Sequence, residues 1–122
     1  MNHKILFTIS ALYMALIGIG HLFAPVEMSA GVVAADASSG MVAFLRHYAA
    51  LFIALGVMYW LLRNAEPSTA LNAIILASII LYGLAAVLDV TAVLSGAGPA
   101  GMVPASMNLA FALAFLLARK KK

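Results

Sequence analysis

Four apolar stretches fill most of this chain, and each is about as long as the ~20 residues a helix needs to cross a hydrocarbon core. Inside a bilayer the backbone has no water to bond, so a spanning segment must satisfy its own N–H and C=O groups. That makes each stretch a helix. The stretches fall at about residues 5–24, 41–62, 69–94 and 102–118. With 66% of residues hydrophobic and 9% charged, the chain cannot cover itself with a water-soluble surface. The expected fold is all-α, a four-span transmembrane antiparallel helix bundle, with residues 1–122 forming a single integral-membrane domain.

The breaks between spans are marked by helix-stopping residues. Pro25 follows the first span, and an Ala-, Gly- and Ser-rich connection then runs to residue 40, long enough for a short interfacial helix. Ser38, Ser39 or Asp36 is placed to cap the second span, and Pro67 lies near the start of the third. The run Ser95, Gly96, Ala97, Gly98, Pro99 makes the last connection. The first span is longer than the apolar core of a signal peptide and lacks a close cleavage site, so it is expected to stay in the mature protein.

Charge sets the expected orientation. Lys4, Arg63, Arg119, Lys120, Lys121 and Lys122 all fall on one side of a four-span bundle, whereas the opposite connections carry only Glu27 and Asp36. The positive-inside rule then puts both termini on the cytoplasmic side of the membrane. The terminal basic cluster reads as a membrane-surface anchor, so the lipid bilayer is the partner it implies and nucleic acid is not. The chain has no cysteine, which excludes disulfides, thiolate metal sites and thiol chemistry. It also lacks a glycine-rich phosphate loop, a His-Glu-x-x-His zinc motif and a serine nucleophile elbow.

Arg46 does not fit this topology, because it sits inside the second span. An arginine there costs about 2.5 to 3.5 kcal/mol on insertion scales and calls for a partner. Counted inward at ~1.5 Å per residue, Arg46, His47, Asp89 and Asn108 reach one depth in the half away from the termini, with His21 slightly shallower. Asp89 is therefore the expected ion-pair partner of Arg46. Tyr48 and Tyr82 supply nearby hydroxyls.

Small residues recur at helical spacing beside these groups, as Ala11, Met14, Gly18 and His21 in the first span and as Gly40, Ala43, His47, Ala50 and Ala54 in the second. Ser78, Tyr82, Ala85 and Asp89 continue the pattern in the third span, and Gly101, Ala105, Asn108 and Ala112 in the fourth. Membrane helices approach closely along such stripes, so all four are expected to face inward. The cluster of Arg46, His47, Asp89, Asn108, His21, Tyr48 and Tyr82 then reads either as a structural pair with hydrogen-bonding neighbours or as a site for a lipid-soluble small molecule such as a quinone. Bis-histidine haem between His21 and His47 is disfavoured by their depth offset and by Arg46, and the same cation disfavours a divalent metal. No cofactor and no metal are expected.

Residues 46–56 read RHYAALFIALG; with Pro25 after the first span and the Ser95-Gly96 turn before the fourth, the whole chain resembles the small four-span bacterial proteins of the DoxX-like group. A domain family in that group has a second span reading R-x-Y-G-G-x-x-x-A-x-G, which Arg46, Tyr48, Ala54 and Gly56 match, while Ala49 and Ala50 stand in place of the two glycines. The resemblance implies an inner-membrane four-helix protein, in a group where some relatives are membrane subunits of quinone-linked oxidoreductases. The expected function is a non-catalytic subunit or assembly partner of a larger, quinone-linked membrane complex, joined to other subunits or to itself. The alternatives are a stand-alone protein binding a quinone at the Arg/His/Asp cluster, and a small dimeric transporter.

Overall fold

A computed structural model describes residues 2–30 and 32–120, and among these all regular structure is helical apart from one isolated bridge. The elements are α1 (His3–Phe23), the short α2 (Pro25–Met28), α3 (Ser39–Leu62), α4 (Thr69–Ala92) and α5 (Met102–Lys120). Helices α1, α3, α4 and α5 are each long and apolar enough to cross a membrane, which makes this a multi-pass, four-span bundle.

The starts of α1, α3 and α4 are each fixed by a short polar side chain that takes up an otherwise unpaired N–H. Asn2 accepts from Lys4 N at 3.0 Å, Ser38 from Met41 N at 3.2 Å and Ser68 from Leu71 N at 3.1 Å. Pro25 opens α2, where its missing N–H costs nothing. Between α4 and α5 the chain widens into a π-turn over Val93–Ala97 and tightens into a 3₁₀ turn over Pro99–Gly101. Gly96 (φ 99°) and Gly98 (φ 84°) supply the left-handed conformations this reversal needs.

The four long helices form two antiparallel pairs. α1 and α3 meet with Gly18 against Ala49 and Ile53, and with Gly56 against Ala11 and Ala15. A Cβ on Gly18 would lie 2.7 Å from the Ile53 side chain, and one on Gly56 would lie 3.1 Å from the Ala11 carbonyl oxygen. The absence of side chains there lets the two backbones touch. α4 and α5 pair through Tyr82 against Phe111 and Phe115, and the turn between them closes tightly at Gly101, whose Cβ would strike Val93.

Aromatic rings join the two pairs in the half nearer the termini. Phe115 of α5 packs on Tyr82 of α4 (5.7 Å between centroids), on Tyr59 of α3 (5.8 Å) and edge-on against Phe7 of α1 (5.7 Å). All four rings are buried, so this is where every long helix contributes to one core.

Three of the four small-residue stripes face inward. Ala11, Met14 and Gly18 are buried on α1, Ser78 and Tyr82 on α4, and Gly101, Ala105 and Ala112 on α5. The α3 stripe is reversed: Gly40, Ala43, His47, Ala50 and Ala54 are all exposed, and the buried face is Leu45, Ala49, Gly56 and Tyr59. A shift of two residues turns a helix by ~200°, so the contact that seats Ala49 and Gly56 on α1 sends the expected stripe to the outside.

Candidate functional site

The depth that Arg46, His47, Asp89 and Asn108 share does not bring them together. Arg46 is exposed on α3 and makes no hydrogen bond or ion pair among the described residues, and the expected bond to Asp89 does not form. Helical spacing accounts for this. Around α3, Arg46 lies ~140° from Tyr59, whose side chain turns toward Ser78 and Phe115 of the other pair. Helical side chains lean toward their own N-terminus, and for Arg46 that end of α3 is the near membrane surface, ~10 Å away. The guanidinium is thus aimed to snorkel rather than to cross the bundle.

Asp89 instead takes its hydrogen bond from α5. Asn108 Nδ2 donates to Asp89 Oδ2 at 2.9 Å, and both side chains are half-buried. This bond ties α4 to α5. Tyr13 of α1 lies within electrostatic reach of the carboxylate and stacks on Phe111 at 4.8 Å.

The two histidines follow the same local rule on different faces. His21 Nδ1 lies 2.9 Å from Ile17 O and His47 Nδ1 lies 2.8 Å from Ala43 O. A carbonyl only accepts, so each Nδ1 carries a proton. His21 is half-buried against Phe52, with centroids 5.2 Å apart. His47 is exposed on the side of α3 opposite Leu45 and Ala49, away from α1. The two imidazoles therefore do not face each other across a haem-sized gap. No group of three His, Cys, Asp or Glu side chains that could hold a metal occurs among the described residues. Tyr48, 40% exposed, packs edge-on against Phe44 at 5.2 Å rather than joining a polar cluster.

The most buried polar groups lie elsewhere. Tyr59 OH and Ser78 Oγ are 2.8 Å apart, and Ser78 Oγ donates to Ile74 O at 2.8 Å. Serine has one hydroxyl proton, so Tyr59 must be the donor to Ser78. Close by, the buried hydroxyl of Tyr82 approaches those of Ser10 and Tyr59, but neither Ser10 nor Tyr82 makes a hydrogen bond of normal geometry. Ser10 (α1), Tyr59 (α3), Ser78 and Tyr82 (α4) thus bring four hydroxyls from three helices to the aromatic core. Ser10 and Tyr59 escaped the sequence reading. Tyr59 and Trp60 sit near the end of a span, where aromatic belts lie, and a lone serine carries no spacing signal.

No family model, curated protein or solved structure matches the chain. Its chemistry is therefore read from these side chains alone. They make a sealed hydroxyl core, one carboxylate–amide clamp and an outward face on α3 bearing a free cation and an imidazole.

Proposed function

We propose that the protein is a non-catalytic, membrane-embedded assembly partner of a larger complex in a bacterial inner membrane, with both termini cytoplasmic. The observation that carries this reading is the outward face of α3. Gly40, Ala43, Ala50 and Ala54 leave a lane of small side chains along the helix, interrupted only by His47, and the bundle itself leaves it uncovered. Small-residue lanes are where membrane helices approach to van der Waals contact. The partner this face fits is another membrane-spanning helix carrying a carboxylate or a hydrogen-bond acceptor at the depth of Arg46 and His47.

The one-sided distribution of basic residues supports the orientation. The likeness of residues 46–56 to the DoxX-like pattern supports a subunit role, as in relatives that serve quinone-linked oxidoreductases. The quinone-site and transporter readings have less behind them, because Arg46 and His47 are exposed on α3 while Asp89 is half-buried and bonded to Asn108 of α5.

A photo-crosslinking side chain placed at Ala50 or Ala54 in native membranes tests the reading. The expected result is one discrete product containing a second membrane protein, lost when Ala43→Trp blocks the lane while the purified variant keeps its melting temperature. A second copy of this chain in the product would replace hetero-assembly by self-association. Adducts to lipid alone, equal to those from a crosslinker at Leu84, would overturn the proposal.

A further inference from the structure

The flank between α1 and α3 holds a groove of about 230 Å3 that the assembly face does not use. Ala11, Ala15 and Gly56 form its floor, and Leu12, Ile53, Val57 and Trp60 its walls. The small floor residues are the same ones that let the two helix backbones touch, so the close packing that joins the helices also leaves an open channel beside the joint.

The terminus-bearing end of this channel is headed by two cations. Lys4 and Thr8 precede Ala11, Leu12 and Ala15 at helical spacing, so they continue the same stripe of α1. On α3 the Arg63 guanidinium lies 3.8 Å above the Trp60 ring and also donates to the Trp60 carbonyl, which fixes it beside the groove wall. The antiparallel register sets Gly56 against Ala11 and Gly18 against Ala49, and it brings Lys4 to the level of Arg63. Neither α1 nor α3 contains an acidic residue, and the nearest carboxylate in sequence, the exposed Glu66, makes no ion pair among the described residues. Arg63 uses one guanidinium N–H on the Trp60 carbonyl, and the Lys4 ammonium has no partner among the described residues.

We infer that this flank is a binding site for a bilayer lipid with an anionic headgroup, taken from the leaflet on the side of the termini. The phosphate sits between Lys4 and Arg63, and one acyl chain runs over Trp60 and Val57 to the small-residue floor. Cations at this level favour an anionic headgroup by about fivefold each. The groove alone would take any acyl chain, so selectivity resides in the two basic residues.

Trp60 is the one tryptophan in the sequence, so its fluorescence reports the groove wall directly. The full chain is reconstituted in vesicles containing either dibrominated phosphatidylglycerol or dibrominated phosphatidylcholine, and quenching is compared at constant ionic strength. The expected result is a several-fold preference for the brominated phosphatidylglycerol. The preference falls to near unity in Lys4→Gln/Arg63→Gln and is unchanged in Arg46→Gln. Both changes lie outside the core, and circular dichroism checks that the helices remain. Equal quenching by the two lipids, or a preference that survives the double substitution, would overturn the inference. Loss of the preference on adding inorganic phosphate would also overturn it, by making this a free-anion site.

Discussion

The two helix pairs solve the same packing problem by different means. The α1–α3 seam is closed by shape: Gly18 and Gly56 bring backbone to backbone, with no side-chain hydrogen bond crossing the seam among the described residues. The α4–α5 seam is closed by groups: Asn108 holds Asp89, and Phe111 and Phe115 lie against Tyr82. Lipid gives helices no hydrophobic reason to associate, so a shape-closed seam rests on dispersion across a very short gap and is sensitive to any added atom. A group-closed seam spreads its stability over several partial contacts and degrades gradually.

Substitution at the glycines should separate the seams most sharply. Gly56→Leu, which drives a side chain into the Ala11 and Ala15 backbone, should cost about 3 kcal/mol or more and abolish a folded thermal transition. Gly18→Ala should cost less, because part of its clash is with the movable Ile53 side chain. If both variants melt like wild type in detergent, the close approach does not hold this pair together. On the other seam, Asn108→Ala removes the one hydrogen bond that a half-buried carboxylate accepts among the described residues and should lower stability by about 1 to 2 kcal/mol. Asp89→Leu/Asn108→Leu should recover most of that loss. An unrecovered double variant would mean that the bond does more than satisfy its own partners.

The hydroxyl core between the seams gives a smaller contrast. Tyr59→Phe removes a donor from a completed chain to Ser78 and Ile74 and should cost about 1 kcal/mol, whereas Tyr82→Phe removes a hydroxyl that only approaches Ser10 and Tyr59 without a well-formed bond and should cost less. Equal melting temperatures for the two variants would remove the distinction. Smallest of all, Gly83→Ala meets nothing within 4 Å and should raise helix stability by up to about 1 kcal/mol, opposite in sign to the seam glycines.

Much of the scaffold was legible because membrane helices are specified by length and by their stops. Ser38, Pro25, Gly96 and Gly98 act at the caps and reversals as their residue types dictate. The Asp89–Asn108 contact was half legible: their common depth was readable, but not which depth-mates share a face. The facing of α3 was not legible, because residues 40–59 carry two small-residue stripes about half a turn apart and lipid tolerates apolar side chains on either. Polar content favoured the His47 stripe, whereas the choice is made by where Gly18 of another helix can touch, a pairwise fact with no local signature. Arg46 misled for a related reason. A guanidinium near a helix N-terminus can reach the membrane surface along its own stem and needs no partner in the bundle.

The facing of α3 underlies the assembly face, the lipid groove and the absence of an Arg46–Asp89 pair, and one measurement reads it directly. With no native cysteine to remove, single nitroxide labels can be introduced at successive positions from 43 to 56 and their collision rates with oxygen recorded for the purified protein in lipid nanodiscs. The account predicts maxima at residues 43, 47, 50 and 54 and minima at 45, 49, 52 and 56. A profile of opposite phase, with His47 sheltered and Ala49 open to lipid, would contradict it.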